Sequence, residues 1–141
     1  MMQYFKAELP RIRQILEAGR YFLVLTHLDP DGDALGAAFG LAAILKKMKK
    51  VPLVGLNQPA PKRFEFITNE GGIKAVYPDK FSLAKFAAVF IVDTSTVARL
   101  DQYSGILAAI REQGLAIPVV NIDHHPDNQR FGDVNIIDPQ A

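Results

Sequence analysis

The sequence predicts an α/β fold, a parallel β-sheet flanked by helices on both faces. Two observations carry this. Runs rich in Val and Ile, such as "FLVL", "AAVFIV" and "IPVVNI", are apolar throughout rather than alternating, as strands covered on both faces must be. Helix-period segments separate them, which is the pattern of β-α-β crossovers. With 49% of 141 residues apolar and 22% charged, the chain can bury the core of one domain.

Taken in order, "LPRIRQILEAG" (9–19) reads as a helix with Pro10 in its first turn and Gly19 as its stop. The strand "YFLVLTH" (21–27) follows. Next comes the helix "ALGAAFGLAAILKKMKK" (34–50), whose closing lysines suit the negative end of a helix dipole. "VPLVGL" (51–56) is a second strand. Residues 57–85, with "QPAPK" and "NEGG", read as turns and short irregular helices. "AAVFIVDT" (87–94) is a third strand, "RLDQYSGILAAIREQG" (99–114) a helix, "IPVVNIDHH" (117–125) a fourth strand and "DVNIID" (133–138) a fifth. Gly32, Gly36 and Gly40 fall four apart along the second helix. Without a G-x-G-x-x-G or a G-x-x-x-x-G-K-[ST] pattern, close helix-on-sheet packing is the better reading than a phosphate loop.

Composition excludes several classes. A net charge of +1 gives no electrostatic case for wrapping long nucleic acid. With no cysteine there is no disulfide, thiolate zinc site or thiol nucleophile. The N-terminus lacks a signal-peptide layout, and the longest nearly apolar run, residues 34–45, is too short to span a bilayer. A cytoplasmic protein with no membrane partner is the expectation.

The chemistry gathers at strand ends. "LVLTH" ends at His27 and is followed by Asp29, Asp31 and Asp33; "AAVFIVD" ends at Asp93; "VVNID" ends at Asp123 and leads into His124 and His125. In an open parallel sheet the carboxyl ends of strands share one edge, so these distant residues become neighbours. Two carboxylates about 5 Å apart repel by about 3 kcal/mol at an effective dielectric of about 20, and nothing in the stretch neutralises them. Singly, Asp33 could be a helix N-cap. A calcium loop fails, because counting from Asp29 the sixth position is Ala34 rather than Gly and the twelfth is Gly40 rather than Glu. As a set, these residues predict a metal site. Carboxylates outnumbering imidazoles, with sulfur absent, favour Mn²⁺ or Mg²⁺ over zinc or copper. So many ligands exceed the needs of one ion, which implies a two-metal centre with Asp93 as the bridge.

The segments "HLDPDGDALG", "VDTS" and "NIDHHP" resemble motifs I, II and III of the DHH phosphoesterases. With the tail "FGDVNIIDPQA", the sequence most resembles the bacterial bifunctional oligoribonuclease / pAp phosphatase branch, from about Tyr21 onward. The resemblance implies a Rossmann-like DHH domain. It implies that His27, Asp31 and Asp93 hold one metal, and that Asp33, Asp93 and His124 hold the other. It makes Asp93, Asp123 and His125 the catalytic set, with Asp123 orienting the histidines and His125 donating to a substrate phosphate oxygen. Arg99 would pair with substrate phosphate or sit on a helix surface. Asp29, where relatives often carry Asn, would stand behind the ligands. The implied cofactor is two Mn²⁺ ions, with Mg²⁺ as an option.

The implied reaction is hydrolysis of short oligoribonucleotides or 3'-phosphoadenosine 5'-phosphate by metal-activated water. The expected partners are short RNA or small phosphorylated nucleotides, with a homodimer as an option. By resemblance, residues 1–141 form the N-terminal portion of the domain. They stop before a motif IV aspartate and a smaller DHHA1 domain, so weak activity is expected of this piece alone. The alternatives are a manganese-dependent inorganic pyrophosphatase, or a non-catalytic nucleotide-sensing α/β module. A receiver-like module leaves the DHH triplet unexplained.

Overall fold

The structure is a computed structural model that describes residues 5–78 and 82–141. Six strands form one sheet: β1 (Tyr21–Leu25), β2 (Val51–Gly55), β3 (Lys74–Val76), β4 (Ala88–Val92), β5 (Val119–Asp123) and β6 (Val134–Ile137). Every pairing is parallel and the order is β3-β2-β1-β4-β5-β6. The helices are α1 (Leu9–Ala18), α2 (Gly32–Lys47), the single turn α3 (Glu65–Thr68) and α4 (Ile106–Glu112). The α/β parallel class is the one the sequence predicts.

Strand order places the site. From β1 the chain steps outward to β2 and β3, then crosses back to set β4, β5 and β6 on the other side of β1. Loops leaving β1 and β4 diverge to opposite faces, and a crevice opens above the carboxyl ends of these two strands.

Alternate residues of each strand feed two cores. Phe22, Val24, Val54, Phe90 and Val120 pack under Leu35, Ala38, Phe39, Ala42 and Leu45 of α2, with Ile12, Ile15 and Leu16 of α1 against them. Leu23, Leu25, Val89, Ile91 and Val119 pack against Leu100, Tyr103, Ile106, Leu107 and Ile110 on the opposite face. Phe22 and Phe90 on neighbouring strands meet as tilted rings 5.8 Å apart. Each such buried side chain contributes about 1.5–3 kcal/mol. Among the described residues no helix is long and apolar enough to cross a membrane.

Four local expectations are corrected. Residues 57–85 contain the short edge strand β3, which three residues beside the left-handed Gly71 and Gly72 cannot announce by periodicity; residues 79–81 of that stretch lie outside the described residues. Residues 99–114 are not one helix: a 3₁₀ segment, Val97–Tyr103, precedes α4 and is kinked at Asp101 (φ 50, ψ −112). Asn57 holds that kink from both sides, donating to the Leu100 carbonyl and accepting from the Gln102 N–H. The N-cap of α2 is Asp31 rather than Asp33, accepting from the Ala34 N–H at 2.9 Å.

The fourth correction concerns the glycines of α2. Among the described residues no atom beyond the adjoining residues and the helix's own backbone lies within 4 Å of where a Cβ on Gly36 or Gly40 would stand, so neither serves close packing, while one on Gly32 would meet the Phe64 ring at 3.4 Å, an ordinary contact. Gly132 is the opposite case. A Cβ there would come within 2.8 Å of the Val134 carbonyl and 3.0 Å of the Val119 carbonyl, backbone atoms that cannot yield. Gly36→Ala and Gly40→Ala are each expected to raise stability by about 0.5–1 kcal/mol. Gly132→Ala is expected to lower it by about 1–3 kcal/mol. Urea unfolding of the three variants checks this; equal effects at all three positions would contradict the packing described.

Candidate metal centre

The functional side chains stand where β1, β4 and β5 end. β1 runs out through Thr26 to His27, which is buried. Its Nδ1 lies 2.7 Å from the Leu28 carbonyl, which can only accept, so Nδ1 carries a hydrogen and Nε2 is the ring nitrogen turned to the site. Nε2 faces Asp93 Oδ2 at 3.6 Å. Asp93 directly follows β4, is 6% exposed, and adopts left-handed backbone (φ 51). Its other oxygen, Oδ1, lies 3.1 Å from His124 Nε2. His124 Nε2 in turn lies 3.5 Å from Asp33 Oδ2 in the first turn of α2. His125 Nδ1 donates to Asp123 Oδ1 at 2.7 Å, with Asp93 Oδ1 at 3.8 Å.

Electrostatics divide the acids. Burial pushes the Asp93 carboxyl above its ordinary range, and the charge on Asp33 adds to this; His27 and His125 pull the other way. The Ala34 N–H holds Asp31 below the ordinary range, against the opposing effect of partial burial. Burial pushes Asp123 up, but hydrogen bonds from Asn128 and His125 outweigh it and leave the carboxyl below its usual range. The bond to Asp123 raises His125, which favours its imidazolium; the Arg99 charge opposes.

Two groups of side chains each have ligand atoms within 4.8 Å of one another: His27, Asp31 and Asp93, and Asp93, Asp123, His124 and His125. Asp93 belongs to both. The donor set fits divalent cations. With Nδ1 held by the Leu28 carbonyl, His27 keeps Nε2 toward a buried acid, and that acid stands among like charges which a cation would turn from repulsion to attraction. The first ligand set inferred from sequence is thus assembled whole, while Asp33 reaches the second through its contact with His124.

Asp29 stands apart, accepting from Gln58 Nε2 at 3.1 Å. Arg99 is exposed on the 3₁₀ segment; its carbonyl accepts the Leu28 N–H at 2.8 Å, tying the loop after β4 to the loop after β1. A cavity of about 470 Å³ opens onto the cluster, lined by Asp33, Asp93 and His124 together with Ala37, Ile122 and Ile136. The sequence reading missed Asn128, whose Nδ2 donates to Asp123 Oδ2 at 2.7 Å. It also missed Asn121, fully buried on β5. Their signal was present: an amide inside the apolar run "VVNI" must find partners or pay for desolvation.

The raised Asp93 carboxyl has a consequence for the chain kept free of metal. In the unfolded chain Asp93 ionises at about 3.9; in the folded chain it does so at higher pH. Between the two, the folded state holds a proton that the unfolded state has lost, so this group lowers stability as pH rises through the interval. In chelator, Asp93→Asn is expected to gain stability relative to the wild type as pH goes from about 4 toward neutrality. Urea unfolding across that range checks this; a pH-independent difference would contradict it.

Residues 21–141 match the family model described as DHH family, N-terminal domain. Over 117 residues the chain is 32% identical to the bifunctional oligoribonuclease and PAP phosphatase NrnA of Thermus thermophilus, a match that covers 82% of this chain and 31% of that protein. It is 27% identical over 143 residues to the probable bifunctional oligoribonuclease and PAP phosphatase NrnA of Streptococcus mutans, covering 99% of this chain and 39% of that one. The chain therefore spans about a third of the length of the curated relatives it matches. An exopolyphosphatase-related protein from Bacteroides fragilis superposes with a TM-score of 0.81 at 22% identity, covering 96% of this chain and 40% of that structure, which shows the shared fold. Strand-end motifs, sheet order and sequence similarity converge, and the chain belongs to the DHH family.

Proposed function

We propose that this chain carries the metal-binding part of a phosphoesterase that hydrolyses short oligoribonucleotides, 3'-phosphoadenosine 5'-phosphate, or both. The observation that carries the reading is Asp93, a buried carboxylate at the sheet's switch point that belongs to both ligand groups. The names of the Thermus and Streptococcus relatives support the substrate class. The near-neutral charge of the chain agrees with small substrates, since a long strand would want a basic groove.

In this reading His27, Asp31 and Asp93 would hold one divalent ion, and Asp33, Asp93 and His124 would hold a second. Mn²⁺ is favoured over softer-ligand metals by the carboxylate-rich donor set. When bound, such ions would lower the pKa of water and neutralise charge developing on the phosphoryl oxygens.

The remaining work falls to the protein. Asp123 fixes His125 through Nδ1, leaving the imidazolium Nε2–H free to donate to a phosphate oxygen. Asp31, anchored on the N-terminus of α2, holds its carboxylate at a set place as the α2 cap. Arg99 stands within electrostatic reach of His125 and pairs with substrate phosphate. Water attacks phosphorus opposite the leaving oxygen and gives up a proton, the bond from phosphorus to that oxygen breaks, and the departing alkoxide takes up a proton to leave as a hydroxyl.

Full-length protein containing this segment, supplied with Mn²⁺, is expected to release mononucleotides from a dinucleotide and phosphate from 3'-phosphoadenosine 5'-phosphate. Asp93→Ala should abolish both activities, and His125→Ala should lower kcat by about 10²–10³-fold. Asp93→Ala retaining full rate would remove the bridging role. Hydrolysis of pyrophosphate with neither nucleotide cleaved would replace the reading with a pyrophosphatase.

A further inference from the structure

Asn121 and Asn128 form one connected device. Asn121 sits on β5 at 0% exposure, where an amide in an apolar layer must satisfy two N–H groups and one oxygen. Its Nδ2 donates to the carbonyls of Ile91 and Thr94, each at 3.2 Å. Those carbonyls bracket Val92 and Asp93, the latter in left-handed backbone. A non-glycine residue holds that conformation only where its surroundings over-determine it. Here they do. The Asp93 N–H donates to the Ile122 carbonyl at 3.0 Å, and Thr94 Oγ1 donates to the Val92 carbonyl at 2.9 Å.

The other end of the Asn121 amide reaches the second acid. Asn121 Oδ1 accepts from Asn128 Nδ2 at 2.8 Å, and the same nitrogen donates to Asp123 Oδ2 at 2.7 Å, with the Thr94 carbonyl 3.2 Å away. Asn128 Oδ1 accepts the Arg130 N–H at 2.6 Å, so the amide cannot turn over without losing this bond. A chain of amide hydrogen bonds thus runs from the backbone around Asp93, through Asn121 and Asn128, to the Asp123 carboxylate. The free oxygen of Asp123 then holds His125.

We infer that Asn121 and Asn128 are positioning residues which together set the backbone that carries Asp93 for metal binding and the Asp123 carboxylate that holds His125 beside it. The inference rests on the metal reading above. Neutral amides suit the task. They donate to a carboxylate without adding a positive charge that would compete with a cation for it. Lysine or arginine at position 128 would hold Asp123 but quench its charge; aspartate would have no hydrogen to donate.

The test titrates Mn²⁺ calorimetrically into the full-length protein containing this segment, as wild type, Asn128→Ala and Asn128→Asp. Mn²⁺ affinity is expected to fall by about 10–100-fold in Asn128→Ala. It should fall further in Asn128→Asp, whose carboxylate would face Asp123. In the full-length protein kcat should drop while KM for a dinucleotide stays within about twofold of wild type. A purely structural residue would instead lower the unfolding temperature in chelator and leave the affinity of the folded protein unchanged. Should Asn128→Ala not fold, Asn128→Ser, whose hydroxyl is too short to span both acceptors, is expected to show the same loss. If the wild type binds Mn²⁺ and the variants titrate identically to it, this inference falls and the metal reading stands. A wild type that takes up no Mn²⁺ removes both.

Discussion

A buried carboxylate among other carboxylates is an arrangement no protein adopts for stability, and the structure is organised around one. Asp93 lies at the end of the central strand β4, in left-handed backbone, with its two oxygens turned toward histidines from different strands. Left-handed backbone at a non-glycine residue costs about 1–3 kcal/mol, and burial with like charges adds to it. Two independent cores, one on each face of the sheet, supply the stabilisation that offsets these terms. The strain is local and the compensation is global, as expected where geometry is held for chemistry.

The sheet order makes the cluster possible. Because β1 and β4 are neighbours whose connections leave on opposite faces, a crevice forms at their carboxyl ends. Into it α2 brings its N-terminus, where Asp31 caps the helix and Asp33 occupies the first turn. The same positive helix end that favours these acids also holds them at fixed places. On the far side, β5 carries Asp123 and delivers His124 and His125 beyond the strand. Three strands and one helix each contribute side chains that mean little alone.

Around the cluster runs a layer of hydrogen bonds. The Leu28 carbonyl selects the tautomer of His27, Asn128 and His125 hold the two oxygens of Asp123, and Asn121 grips the backbone beside Asp93. Such outer partners fix ring and carboxylate orientation to within the tolerance that a metal site demands. Asn57 does comparable work for the kinked segment that carries Arg99, bonding on both sides of Asp101.

The class of fold and the members of the cluster were legible in the sequence, because both follow from local facts. Apolar runs without alternation mean strands covered on both faces, and His27, Asp93 and Asp123 each close or follow such a run. What was not legible depended on contacts between distant segments. The strand β3 exists because β2 offers it an edge, not because three residues favour extension. The break at Asp101 exists because Asn57, far away in sequence, is there to hold it. Gly36 and Gly40 suggested packing, yet their side of α2 faces open space. The choice of Asp31 over Asp33 as the cap depended on where α2 begins. The linear chain thus determined which chemical groups are present and which strand each one ends, since covalent order and hydrophobic pattern are its own properties. Only the tertiary structure decided which acid is buried, which is shared and which amides hold them, because distance and desolvation arise when remote segments meet.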